Sequence, residues 1–449
     1  MSTTTTHALG RDLRRVLTGK VHTPGEGTFA AAAAPWNRTV GQVPLAVVEA
    51  ADAPDVAALL AYAHGAGVPV SVQPTGHGAA GDTRGTILLR TGHLNQVTLD
   101  VGERLARVGA GAGWQAVLNH VSPHHLTALA GSSPVVSVAG YTLGGGLSWF
   151  GRRHGYAAHT LRSADVITAD GTPARVDASS DPDLWWALRG GGGGHAVVTA
   201  LELTLAPAPL LYGGRMTWAV DRAPEVMDAF RQITADAPDD LSLWFTLLRL
   251  PPAAGGHSVV TLDVAYLGSA DSGRELLREA EHLGDLISDT RAPRPVAELG
   301  AICAEPTDPR PSLYRGELLT ELDDATAAAL LASSPIAPLA MVQLRHLGGA
   351  LAQPVANPGA CGRLTEPFLL YTLGLAADQT AGAAIACRQQ ELFEGLATAT
   401  GRKPYTYLAP GEEITRAFGV ATLDRLRKIK QDRDPDDIIR AAHPFPKDA

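Results

Sequence analysis

Gly131-Ser132-Ser133-Pro134, then Val138-Ala139-Gly140, then Leu143-Gly144-Gly145-Gly146-Leu147-Ser148-Trp149 is the stretch on which the fold reading turns. Three consecutive glycines inside an ordered stretch cost about 1 kcal/mol each relative to alanine in a helix, and such a cost needs a reason, such as backbone lying against a ligand. The stretch sits in a longer window, residues 104–164, with Arg104, Arg107, Arg152, Arg153 and Arg162 but no aspartate or glutamate. At the average frequency of acids in this chain about six are expected there. A region that holds a pyrophosphate excludes carboxylates and offers backbone N–H groups, whereas a small-residue core strip is equally poor in charge. A second cluster, Arg189-Gly190-Gly191-Gly192-Gly193-Gly194, leads into a predicted strand from Val197 to Leu205.

These glycines fail the familiar phosphate-loop patterns. Gly109-Ala110-Gly111-Ala112-Gly113 precedes the helix-like Trp114 to His120, but its spacing is not G-x-G-x-x-G, and no acid follows about 20 residues on to take a ribose. No G-x-x-x-x-G-K-[ST] or G-x-S-x-G occurs. His120 and His124 have zinc-like spacing, but Pro123 stands between them and no H-E-x-x-H is present, so no metal site is expected.

Composition narrows the class further. The chain has 449 residues, 45% apolar and 18% charged, enough for a large buried core. Its 37 basic and 46 acidic residues give −9, and aromatics are 5%, which argues against a nucleic-acid partner. No run of about 18 apolar residues predicts a membrane span. Three cysteines, Cys303, Cys361 and Cys387, and no apolar leader near Met1 fit a cytoplasmic protein.

Residues 43–205 alternate strands and helices: strands over Pro44–Glu49, Val68–Gln73, Thr86–Arg90, Asn95–Leu99 and Arg104–Gly109, and a helix over Ala53–Ala66 with Asp52 as N-cap and Gly67 closing it. Ala206-Pro207-Ala208-Pro209 marks a boundary. Beyond it, strands are predicted at Leu241–Leu250, Ser258–Leu267, Met341–Leu347 and Phe368–Leu375, with helices near 223–235, 271–286, 324–332 and 378–398. Glu413 to Arg440 reads as a charged helix stopped by Pro435. The expected fold class is α+β.

Taken in order, Thr75-Gly76-His77-Gly78-Ala79, Gly131 to Pro134, Leu143 to Trp149, Asp181-Pro182-Asp183-Leu184-Trp185-Trp186-Ala187-Leu188-Arg189 with its glycines, and the tail Arg425-Leu426…Ile429-Lys430…Asp434-Pro435 resemble the berberine-bridge-enzyme-like branch of the vanillyl-alcohol-oxidase flavoproteins. The likeness spans about residues 35–205 and 400–445. It implies a PCMH-type FAD-binding domain of two α/β subdomains, residues 1–205, and a substrate domain, 206–403, with an antiparallel sheet covered by helices. It also implies a segment, 404–449, that returns to the FAD domain.

The resemblance implies FAD joined through His77 to the flavin 8α-methyl carbon. It places Thr75, Gly76, Gly78, Ala79, Gly131, Ser132, Ser133, Val138, Ala139, Gly140, Leu143, Gly144, Gly145, Gly146, Trp149, Val197, Val198 and Tyr407 along the cofactor. A histidine in a glycine turn without acidic neighbours in sequence presents a neutral nitrogen as nucleophile. Ser133 stands where many members carry a second flavin-linking cysteine, so one link only is expected. His195-Ala196 replaces the family's Asn-Phe, which makes His195 a pocket candidate or a packing histidine. Tyr405-Thr406-Tyr407 replaces Y-x-N; both rings are expected on one face of a strand, as catalytic groups or as packing. Gln343 and Arg345 alternate with Val342 and Leu344 and either line the substrate pocket or face solvent.

The implied activity is an FAD-dependent oxidase, taking hydride from a C–H of a small alcohol or amine, by analogy with the family a secondary metabolite, with O2 as acceptor. Alternatives are a flavin-dependent cyclase without net oxidation and a flavin-bearing drug-binding protein. A monomer or homodimer is expected, with no nucleic-acid or membrane partner.

Overall fold

The computed structural model of the chain describes residues 3–445 apart from 252 and 254. Three sheets organise it. The first runs Lys20–His22, Ala46–Glu49, Ile87–Arg90, Val70–Val72 and Ile439–Arg440 in spatial order. Its first pair is antiparallel and the rest parallel. The parallel strands come from the βα alternation read in the sequence. The helix Ala53–Ala66 begins where Asp52 accepts the Asp55 N–H and ends at Gly67, φ 62°. The last strand comes from the far end of the chain and pairs Ile439 with Val70.

The second sheet, Val97–Asp100, Leu105–Gly109, Val197–Thr204, Leu161–Ile167 and Pro173–Asp177, is antiparallel throughout. The third is an eight-stranded antiparallel sheet with Tyr212–Ala219, Ser258–Tyr266, Leu241–Arg249, Met341–His346, Phe368–Leu375 and Ser312–Leu319 as its long members. One face buries Leu243, Phe245, Leu262, Val264, Leu344 and Leu370 in a core with residues of the helices Ala223–Ala235, Asp324–Ala332 and Gln379–Glu394. Period-2 alternation turns the intervening residues toward the first two sheets.

Several expectations need correction. Tyr212–Ala219 and Ser312–Leu319 were not predicted as strands. Gly213 and Gly214 break the apolar pattern of the first; Gly316, over which the Tyr407 ring lies, breaks the second. The predicted helix 271–286 is two short helices, Ala270–Leu276 and Arg278–Glu281, and the 378–398 helix stops at Glu394. The tail is a 3-10 turn, Ile414–Arg416, followed by a helix from Val420 to Arg433. Tyr405–Tyr407 is itself a 3-10 turn and not a strand, so its two rings diverge.

Candidate active site

The turn after Val70–Val72 carries His77. Gly76 has φ +76°, and a Cβ there would stand 2.7 Å from the Pro35 side chain, so only glycine fits. The His77 ring stacks on Trp36 at 4.2 Å. Its Nδ1 is 2.9 Å from Thr75 Oγ1, while its Nε2 is buried without a hydrogen-bond partner. Burial lowers its pKa to about 4, so the ring is neutral near pH 7.

The glycine-rich wall is built differently from the sequence reading. A Cβ at Gly144 would stand 2.7 Å from Thr406, one at Gly146 2.4 Å from Tyr141, one at Gly190 2.4 Å from Cys361 and one at Gly192 2.6 Å from the Tyr405 hydroxyl. At these four positions the absent side chain makes room for the protein's own side chains. Gly78 and Gly140 are exposed and have open space where a Cβ would be. Val138, Ala139, Val197 and Val198 are buried in the cores, so only their backbone is left for a ligand. Trp149 stacks on Trp244 of the third sheet with ring centroids 3.5 Å apart.

The inward face of the third sheet forms the floor. Register sets Trp244 opposite Arg345 and Thr246 opposite Gln343, which in turn lies opposite Tyr371. Both Gln343 and Arg345 are therefore inward and buried, and the solvent alternative is removed. Arg345 donates from Nε to Gln343 Oε1 (2.7 Å) and from Nη1 to Tyr407 Oη (2.7 Å), and lies 3.8 Å over the Trp244 ring. Gln343 donates to Thr246 Oγ1 at 3.1 Å. Burial opposes the Arg345 charge, but Tyr407 and Glu305 outweigh it and its pKa is raised. Burial raises the Tyr407 pKa despite Arg345, so this phenol is protonated at neutral pH.

Tyr405 lies elsewhere, against Phe418 and His443, its pKa pushed up to about 12 by burial. His195 is 1% exposed, with Nε2 3.1 Å from Leu426 O, and Phe445 packs beside it. The structure gives it the packing role, and burial holds it neutral with a pKa of about 4.

Sequence reasoning missed Tyr141, which lies inside the decisive stretch. Its hydroxyl is buried without a partner, and Tyr407 and Arg345 act on it electrostatically. It also missed Trp36, Trp244, Tyr371 and a contact of 3.5 Å between Cys361 Sγ and His159 Nε2. Burial pushes that thiol up to about 12, which leaves it protonated. The tail motif is explained by Lys430, whose Nζ donates to Gly194 O, Ile439 O and Asp434 Oδ2 and so ties the tail to the second glycine cluster.

These features fit a flavin dinucleotide. His77 Nε2, Tyr141 Oη, Thr142 Oγ1 and Thr406 Oγ1 are buried polar atoms without partners. Gly78 and Gly140 leave open backbone, and residues 104–164 carry no carboxylate. Among the described residues no group of three or more acidic, histidine or cysteine side chains could hold a metal, and no helix is long and apolar enough to cross a membrane.

Comparison with known proteins defines the class. Residues 44–177 match the FAD binding domain family. An FAD-dependent monooxygenase of Fusarium proliferatum is 33% identical over 202 residues, 44% of this chain and 39% of that one. The (R)-6-hydroxynicotine oxidase of Paenarthrobacter nicotinovorans is 28% identical over 283 residues, 61% of this chain and 60% of that one. The matches thus cover less than two thirds of these relatives' own length. Two solved structures superpose over nearly the whole chain. 6-Hydroxy-D-nicotine oxidase from Arthrobacter nicotinovorans has a TM-score of 0.82 at 23% identity, covering 96% of this chain and 98% of that one. Physcomitrella patens BBE-like 1 has a TM-score of 0.85 at 18% identity, covering 100% of both. Residues 44–177 thus match the FAD binding domain family, and the chain as a whole has the fold of these BBE-like and nicotine-oxidase structures.

Proposed function

We propose that the protein is an FAD-dependent oxidase in which a small hydroxyl-bearing molecule gives up a hydride from C–H and releases its hydroxyl proton to solvent, the electrons passing to O2. Residues 1–205 and 404–449 hold the cofactor, and 206–403 cover it. The observation that carries the reading is that Tyr141, packed on Gly131 and Gly146 of the glycine-rich wall, lies within electrostatic reach of Arg345 and Tyr407, which are bonded to each other and, through Arg345, to Gln343. When bound, the flavin supplies the two-electron acceptor, which O2 regenerates with release of hydrogen peroxide.

The protein's own groups then have definite tasks. His77 would hold the ring: in the tautomer whose Nδ1–H donates to Thr75 Oγ1, the neutral, unpartnered Nε2 has the lone pair that would bond the 8α carbon. Tyr407 Oη accepts from Arg345, so its own proton points away from that bond and can be donated to a substrate oxygen. Arg345 strengthens this donor by withdrawing charge from the phenol oxygen. Trp149 and Trp244, stacked below, fix the guanidinium plane and keep water from it. Hydrogen-bond donors crowd this face, which favours an alcohol over an amine; a protonated amine needs an acceptor.

The test is a panel of alcohols and amines supplied to the purified protein in air. One hydrogen peroxide per substrate consumed supports the oxidase. Turnover without peroxide would place the protein among the cyclases, and binding without flavin bleaching in the absence of oxygen would leave it a binding protein.

A further inference from the structure

We propose that Arg345, with the Tyr407 hydroxyl, is a clamp for an oxygen anion on the substrate, so that the substrate is a small organic acid or a molecule with an acidic phenol or enol hydroxyl. The inference rests on the reading of this face as the catalytic pocket and adds the chemical class of what enters it.

Three arginines of this protein are almost completely buried. Arg152 spends its N–H groups on the carbonyls of Leu241, Leu347 and Ala237 and on His346, with Asp239 3.6 Å away. Arg189 spends its own on the carbonyls of Ala158, Asn357 and His159. Arg345 differs. Like Arg189 it has no carboxylate within ion-pair distance among the described residues, but it makes only one bond to an amide oxygen and one to a phenol, and its Nη2 has no acceptor among them. Its flat face is covered by Trp244, so the unused edge is all it can offer.

Glu305 and Tyr407 keep the guanidinium charged but leave its Nη2 donor unused, and a buried donor of this kind suits a ligand that brings an oxygen acceptor. Two further donors join it. The Tyr407 proton is directed away from Arg345, and the Tyr141 hydroxyl is buried without a partner. Three donors without an acceptor between them match an anion with two oxygens or a delocalised charge. The one acid that acts electrostatically on Arg345, Tyr407 and Tyr371 alike is Glu305. It is half-buried, makes no ion pair among the described residues, and would repel such a ligand.

The same cation could instead face the flavin, whose reduced ring is also an anion, and the experiment separates the two. The FAD-loaded full chain is titrated by calorimetry with benzoate, phenylacetate and 4-nitrophenol, and with benzamide as the uncharged match to benzoate. Sulfite, whose flavin adduct reports a cation beside the ring, is titrated in parallel by absorbance. At least one of the anions should bind. Arg345→Gln should weaken that binding about 10- to 150-fold, the worth of one charge-assisted bond, and leave sulfite affinity unchanged. Arg345→Lys should retain part of the affinity, and Glu305→Gln should tighten it. If wild type binds none of the anions, or binds benzamide as well as benzoate, the proposal is wrong. It is equally overturned if Arg345→Gln abolishes the sulfite adduct and spares anion binding. Protein that cannot be loaded with FAD at all would instead refute the proposed function.

Discussion

Lys430→Met isolates the joint that closes the cofactor cradle. Lys430 Nζ lies 2.5 Å from Asp434 Oδ2, 2.6 Å from Ile439 O and 2.9 Å from Gly194 O. Asp434 is fully buried and accepts the N–H groups of Ile438 and Ile439, the residues that bring the last strand to Val70. Methionine preserves the stem and removes the charge. It leaves a carboxylate uncompensated in the interior and two carbonyls without a donor. Breaking a buried pair on one side costs about 3–5 kcal/mol, a fifth or more of a typical total of about 5–15 kcal/mol. Urea unfolding followed by tryptophan fluorescence should show a midpoint shift of that size. Because Gly194 adjoins the second glycine cluster, the variant should also release FAD more readily on dilution. Lys430→Met combined with Asp434→Asn should be less damaging than the sum of the single changes, since the neutral amide no longer needs the ammonium. A loss below about 1 kcal/mol for Lys430→Met, the value of a surface pair, would refute the reasoning.

Other consequences are independent of that joint. Trp149→Ala opens a cavity at the Trp149–Trp244 stack and should cost about 3–5 kcal/mol in the same unfolding assay. Burial lowers the pKa of His159 and His195 to about 4 and that of His346 to about 3, so the folded state binds fewer protons than the unfolded one. Stability should therefore be full above pH 6.5 and fall toward pH 4, by up to about 1.4 kcal/mol per pH unit for each histidine; urea midpoints that do not move between pH 7 and 5 would contradict this. Tyr407→Phe should lower kcat by about 10²–10³-fold, the cost of a lost donor at developing charge. Tyr405→Phe should leave kcat nearly unchanged, because that hydroxyl lies against Gly192 and its ring against Phe418.

The elements legible in the sequence are those whose local signals agree with their place in the fold. Asp52, Pro54 and Gly67 bracket one helix without help from the rest of the chain. Ala223–Ala235 and Asp324–Ala332 match their predicted limits. The two strands that escaped notice contain glycines whose reason is tertiary: Thr290 and Arg291 approach Gly214, and Tyr407 covers Gly316. Tyr405–Tyr407 misled because period-2 aromatics also suit a 3-10 turn whose rings go to different neighbours. The glycine wall was found for a reason that holds only in part, since most of its missing side chains give way to Tyr141, Thr406, Cys361 and Tyr405. Arg345 could be placed on a strand but not given a side, because its direction depends on the register with Trp244 and Tyr371. Trp36 carried no signal at all: its value comes from stacking on a ring 41 positions further along the chain.

The most direct measurement is acid precipitation of the purified, FAD-loaded protein, followed by peptide mass analysis. The account predicts a yellow pellet and a single modified peptide, the one with His77, heavier by FAD less two hydrogens; His77→Ala should give a colourless pellet. Colourless wild-type pellets would remove the covalent anchor, and protein that neither carries FAD nor takes it up would contradict the account as a whole.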